Sequence, residues 1–343
     1  MDYLWKRSLG VVELAEIEKL SESDLILYNG LIKESVEGTI FHTSWWRNLV
    51  DSIWGKNFTT DYYGVFETDK LVAAIPISHK SVLGFKVIYN SKLTPYSGPV
   101  FLCKPGMKPV SQASWRKSIN RDFAKILKAY NVCLYYPFNP NHIDLQPYIW
   151  EGFDVGVAYT YILNLNCLTE IQQNMDRKRR NEIRSGLKAG YSVHKGQIED
   201  FIFLYQMSMK RQNHSSLSPE LWNNIFNKCN EYNCCEIFTA YDNNNPLASL
   251  FLIWDNKRSY YLGGGIGDNP QYAMSRLIWE AIQFTKNDLK LNEFDFEGSS
   301  VETIESFFRS FGGNLRPVYR IFRRTLPRQA LLKLHQALLL MGW

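Results

Sequence analysis

The chain has 343 residues, is 45% hydrophobic and 15% aromatic, and carries a formal net charge of +5. This composition excludes a disordered or fibrous protein and suits two packed domains of roughly 100–200 residues each. The charge is too small to demand a nucleic-acid partner, and no run of about 18 uninterrupted apolar residues is present to span a membrane.

The first 20 residues mix acids with short apolar runs, unlike a secretory signal, so the expected compartment is the cytoplasm. Residues 61–80 (DYYGVFETDKLVAAIPISHK) predict strand, polar turn at Thr68–Lys70, and strand. Residues 111–130 have helical periodicity and lead into an apolar strand at 132–138. The alternating, aromatic-rich run 152–168 predicts a strand leading out of the first half. Residues 174–191 then change character sharply, to NMDRKRRNEIRSGLKAGY.

The earlier order now recurs. Residues 235–254 predict a hairpin turning at Asp242–Pro246, followed by an aromatic, glycine-rich strand at 257–267. A helix over 269–287 and a strand over 293–299 complete the set. The shared order points to internal duplication, with domains at 1–165 and 166–325. No linker rich in Pro, Gly or Ser separates them, so a ligand cleft between tightly packed halves is expected.

Two basic segments stand out. At 100° per residue, Arg177, Arg180, Arg184 and Lys188 fall within about 80° of one another on a helix. Either a phosphate-bearing ligand offsets their repulsion, or they form a solvated face with Asp176 and Glu182 as partners. The second segment, 326–343 (LPRQALLKLHQALLLMGW), predicts a basic amphipathic helix. It would cover the protein's own body, or lie on a partner or membrane surface.

The six cysteines show neither paired CxxC motifs nor zinc spacing, and no metal site is expected. Buried free thiols are the expectation, with a catalytic Cys234 or Cys235 as the alternative. His42 and His214 have no visible partners and are taken as ordinary polar residues. Asp295 and Glu297 alternate with phenylalanines, so both acids would share one strand face. They would serve as a general base or pair with local arginines. Tyr261 would donate a proton to a leaving group or sit in the core.

Several ordered segments carry a resemblance: RRNEIRSGLKAGYSV (179–193), YYLGGGIGDNPQYAMSRLIWEAI (260–282), FDFEGS (294–299) and FFRSFGG (307–313). FHTSWW (41–46), TPYSGP (94–99) and YTYIL (159–163) agree more loosely. With these, the chain resembles the Fem-type peptidyltransferases and their acyl-CoA-using relatives, which share GNAT-like folds. The resemblance implies an α/β (α+β) protein with two GNAT-like domains, each a mixed twisted sheet flanked by helices, plus the tail helix. It implies transfer of an acyl group to an amine from acyl-CoA or aminoacyl-tRNA as cosubstrate, with no tightly bound cofactor. The acceptor would be a nucleotide- or lipid-linked cell-envelope precursor or an amino sugar.

The family's Phe-Lys pair stands here as Phe308-Arg309, and arginine is a poor base. The family's pyrophosphate loop is absent, but Ala273 and Ser275 are small enough for close backbone approach, beside Gly265 and Gly267. Lys210 and Arg211, near the end of an apolar helix, would reach an acceptor phosphate. The alternative to an enzyme is a binding module for an anionic glycolipid or membrane surface, docked peripherally through its tail.

Overall fold

The computed structural model describes residues 17–53, 58–130, 132–268, 272–298 and 301–324. The tail helix expected at 326–343 lies outside them. The first half contains β1 (Ile17–Lys19), α1 (Leu25–Glu34), α2 (Ser44–Ile53), β2 (Phe58–Glu67), β3 (Lys70–Val82), β4 (Phe85–Ile88), β5 (Val100–Phe101), α3 (Pro109–Lys128), β6 (Val132–Pro137), α4 (Gln146–Trp150) and β7 (Asp154–Asn164). The second contains α5 (Leu168–Asn174), α6 (Arg177–Lys188), β8 (Ser192–Lys195), α7 (Ile198–Arg211), α8 (Pro219–Glu231), β9 (Cys235–Asp242), β10 (Asn245–Trp254), β11 (Arg258–Ile266), α9 (Ala273–Asn287), β12 (Glu293–Asp295), α10 (Glu302–Arg309) and β13 (Asn314–Arg324).

Both predicted hairpins form. Thr68, at φ 56°, turns β2 into β3, and Asn243 and Asn244, at φ 47° and 69°, turn β9 into β10. Asparagine tolerates this left-handed pairing, which matches the twist of a tight hairpin. β3 and β10 are buried along almost their whole length. Their apolar runs are continuous because both sheet faces are covered. α3 covers one face through Ile119, Phe123, Ala124 and Leu127, which recur at helical spacing.

The described strands form one continuous sheet, in the order β1-β2-β3-β4-β6-β13-β7-β12-β11-β10-β9-β8, with β5 against β3. The halves are thus not two separate sheets. Each builds an antiparallel meander, crosses over through a helix, and adds a parallel strand: β4 to β6, and β11 to β12. Each then sends its last strand into the other half. β13 pairs with β6, and β7 pairs with β12. The exchanged strands also pair with each other from Asn314↔Ile162 to Phe322↔Asp154.

A second contact locks the halves. The turn after β10 reaches the first half, where Asp255 accepts the Ile40 N–H at 3.0 Å. Lys257 donates to the carbonyls of Ile32 and Gly38 at 2.9 and 2.8 Å. Cys133, Cys229, Cys234 and Cys235 are buried free thiols, while Cys103 and Cys167 are exposed.

Candidate active site

β11 and β12 pair in parallel only from Arg258↔Glu293 to Tyr260↔Asp295. β11 runs on to Ile266 while β12 stops at Asp295, so the ladder between the two strands ends there. Just past that point β11 carries a β-bulge: Phe251 faces Gly263 and Leu252 faces Tyr261, leaving Leu262 as the extra residue. A bulge leaves backbone groups outside the ladder and re-aims them. Such N–H groups can receive a carbonyl oxygen as it gains charge during acyl transfer.

β12 ends in a carboxylate knot. Asp295 is fully buried. It accepts hydrogen bonds from the Tyr96 hydroxyl at 2.8 Å, the Thr160 hydroxyl at 2.6 Å and the Glu297 N–H at 2.9 Å. Arg258 lies 3.5 Å from Asp295 and 2.7 Å from Glu293. The arrangement corrects the expectation that Asp295 is a free base: its oxygens are occupied and no face is open to substrate. Neither Tyr96, from the first half, nor Arg258 is among the sequence candidates. Only a tyrosine in TPYSGP and an arginine at a strand start mark them.

Glu297 differs. The strand breaks after Asp295, so the expected shared strand face does not extend this far. Glu297 is left-handed at φ 56° and Gly298 follows at φ 74°. A left-handed non-glycine residue costs about 1–2 kcal/mol, and strain of this kind gathers at functional sites. The residue is partly buried, and its Oε1 is buried with no hydrogen-bond partner among the described residues. Burial, and then the negative charge of Asp295, holds its carboxyl well above the usual range.

α6 lies across the start of α9. Asp176 caps it by accepting the Lys178 N–H at 2.7 Å. Arg179 is buried between Phe307 and Phe311, 4.0 and 5.1 Å from their ring centres. It also donates to Ser310 at 2.8 Å and contacts Glu182 and Ser275. It is therefore the anchor of the helix, a role the sequence reading missed. Arg180 donates to the carbonyls of Gln173 and Gln172 at 2.9 and 3.2 Å. That bonding caps α5 and corrects its expected place as a free phosphate ligand. Arg177, Lys178, Arg184 and Lys188 are exposed.

Two cavities flank this helix. One, of about 670 Å³, lies between α6 and α10 and is lined in part by Lys178, Arg179 and Arg309. The other, of about 400 Å³, is a more apolar groove lined by Met175, Ile183, Leu187 and Trp279, with Arg180 and Arg184 among its walls.

Residues 172–303 match the family model described as an acetyltransferase (GNAT) domain. The second half carries a GNAT-type domain. Among solved structures, FemX superposes with a TM-score of 0.68 at 13% identity, over 93% of this chain and 99% of that one. L-PGS from Bacillus licheniformis gives 0.53 at 12% identity, over 92% and 96%. A tandem GNAT protein from the clavulanic acid biosynthesis pathway gives 0.52 at 9%, over 91% and 99%. At these identities the likeness concerns the fold. No curated protein matches the sequence. Together the GNAT match and the fold support an acyltransferase.

Within the GNAT domain several expected ligands serve packing instead. A Cβ at Gly265 would lie 2.3 Å from backbone atoms of Leu204 and Tyr205, so this glycine lets α7 lie on β11. Gly267 donates to Leu247 O at 2.8 Å and is close to Leu204. Ala273 and Ser275 are buried under α6, and Ser275 donates to Glu182 at 2.7 Å. These contacts correct their expected role at a pyrophosphate. Arg211 ties α7 to β11 by donating to the carbonyls of Ile266 and Gly267 at 2.8 and 3.1 Å, which likewise removes it as a free phosphate ligand. Lys210 is exposed.

Phe308 is core, stacked 4.9 Å from Phe296, and not a substrate contact. Tyr261 is partly buried, with its hydroxyl 4.0 Å from the Met274 sulfur and its ring against Phe308. Burial raises its phenol, so it is a weak acid in the core rather than a ready donor. Arg309 is 61% exposed by side chain and donates to Glu305 at 3.0 Å, which also accepts the Tyr161 hydroxyl at 2.5 Å. His42 is bonded on both ring nitrogens, to Thr39 and Ser97 O. No described group of His, Cys, Asp or Glu is arranged to hold a metal.

Proposed function

We propose that the protein is an N-acyltransferase that moves an acyl or aminoacyl group from acyl-CoA or aminoacyl-tRNA to an amine of a cell-envelope precursor or amino sugar. The end of the β11–β12 ladder, with the bulge on β11 and Glu297 just past β12, carries this reading. It combines bulged backbone beside the reacting carbonyl with the Glu297 carboxyl. The carrier's phosphates would meet the exposed cations Arg177, Arg184 and Lys188 on α6. Arg309 would contact an acceptor anion through the polar cavity it lines. The working site belongs to residues 166–325, closed on one side by residues 1–165.

Purified protein should bind one of acetyl-CoA or an aminoacyl-tRNA saturably and turn it over with an amine. If neither carrier binds, the reading fails. With tRNA, affinity should fall steeply with salt. Arg184→Glu with Lys188→Glu should then weaken binding and flatten that dependence by about one unit of slope per removed contact.

The apolar groove beside Arg180 and Arg184 favours a second reading, a module that binds an anionic amphiphile. Retention on phosphatidylglycerol vesicles but not on phosphatidylcholine ones, without turnover of either carrier, would favour it. No described helix is long and apolar enough to cross a membrane.

A further inference from the structure

Glu297 lies two residues past a strand whose last residue, Asp295, is enclosed by three hydrogen-bond donors. Two of those donors come from the first half: Tyr96 in the loop before β5, and Thr160 on the exchanged strand β7. The third is Glu297's own N–H. The same carboxylate that joins the halves therefore fixes the backbone of Glu297. The Oε1 of Glu297 is buried and has no partner among the described residues. A buried carboxylate oxygen without a donor is costly when charged, whereas a neutral carboxyl tolerates the place.

We propose that Glu297 is the proton donor of the site, kept as a neutral acid beside the fixed anion of Asp295, and that Tyr96 of the first half is the positioning residue that holds Asp295 there. This rests on the acyl-transfer reading for its use and on the carboxyl pair for its existence. During transfer the acceptor nitrogen bonds to the acyl carbon and the bond from that carbon to the carrier's sulfur or oxygen breaks. Glu297 gives its proton to the departing sulfur or oxygen. The proton shed by the acceptor nitrogen then restores Glu297, so no further reactant is needed.

The groups around Glu297 support this assignment. Asp295 on its own strand is the nearby anion that raises it. Tyr96 stands across from the pair and is itself held neutral by burial and by Asp295. Arg258 on β11 turns to Asp295 and Glu293. From β7 come the Thr160 hydroxyl, spent on Asp295, and the Tyr159 carbonyl, which lies against Gly298. Tyr161, also on β7, is spent on Glu305 of α10, which holds Arg309 in turn. None of these supplies a cation to Glu297.

Infrared difference spectroscopy on the full chain tests the proposal without any substrate. At pH 7 the wild type should show a protonated-carboxyl stretch that Glu297→Gln removes. Asp295→Asn should move the pH midpoint of that band downward, because the neighbouring anion is gone. Tyr96→Phe should move it upward, since the negative charge beside Glu297 is then offset by one donor fewer. If Asp295→Asn fails to fold, the near-isosteric Glu297→Gln and Tyr96→Phe still decide. Absence of the band at pH 7, or a midpoint indifferent to Tyr96→Phe, overturns the proposal even if acetyl-CoA is turned over. A band that behaves as described in a protein that uses neither carrier supports the carboxyl pair and sinks the acyl-transfer reading instead. Where a carrier is used, Glu297→Gln should lower kcat by about 10²–10⁴-fold. Activity should also fall as pH rises through the midpoint of the band, and Tyr96→Phe should lower kcat with KM unchanged.

Discussion

Separated at residue 165, the two halves should fail to fold alone and should recover when they are expressed together. β13, 11 residues long, has β6 and β7 as its neighbours, and both belong to the first half. β7, also 11 residues long, has β13 and β12 as its neighbours, and both belong to the second. A lone second half would expose the whole of β13 and one edge of β12. A lone first half would expose β6 and both edges of β7. Long unpaired apolar edges are templates for aggregation. The break would also strip Asp295 of Tyr96 and Thr160, leaving a buried carboxylate that has lost two of its three hydrogen-bond donors. Such losses cost more than a domain's usual margin of stability allows. Each half expressed alone should be insoluble or lack native circular dichroism, while co-expressed halves should copurify one to one. The intact chain should unfold in a single transition. A half that folds as a soluble monomer would show that the exchange does not hold the protein together.

This exchange also marks the limit of what the sequence makes legible. Local pattern located the hairpins at 61–80 and 235–254, the helix near 111–130 and the strand at 132–138, because alternation and turn residues act over a few positions. The repeated order gave the two related halves. It could not say that β7 lies beside β12 or that β13 lies between β6 and β7, since strand neighbours far apart in sequence leave no periodic trace. The same distance hid Tyr96, which stands 199 positions from the carboxylate it binds. The arginine stripe was legible as charge but not as function. Arg179 and Arg180 point into the fold and bind neighbours, while Arg177 and Arg184 point out. The spacing of cations on a helix does not reveal which of them its packing consumes. Asp295 and Glu297 looked equivalent by alternation, and only the backbone break between them separates a carboxyl filled by donors from one whose Oε1 has no partner among the described residues.

That break gives the second large effect, which should appear in Gly298→Ala. Gly298 has φ 74°, and a Cβ added there would lie 2.0 Å from the Tyr159 carbonyl oxygen and 3.1 Å from the Thr160 Cα. These are backbone atoms of β7, paired there with Pro317 and Arg316 of β13, so they cannot rotate away as a side-chain tip would. Gly106 is the control. It has φ 84° with nothing within 4 Å of an added Cβ, so alanine there meets only the left-handed cost of about 1–2 kcal/mol. At Gly298 the same cost is joined by an overlap of about 1–3 kcal/mol, the usual range for forcing extra volume into a packed interior. Urea unfolding should show the midpoint falling clearly further for Gly298→Ala than for Gly106→Ala. Equal losses would mean that β7 yields and that the close approach is incidental. The shift forced on the chain would also carry Glu297 with it. A displacement of about 1 Å at a reacting group can cost about a hundredfold in rate, so turnover should fall in Gly298→Ala and stay near wild type in Gly106→Ala at temperatures where both are folded.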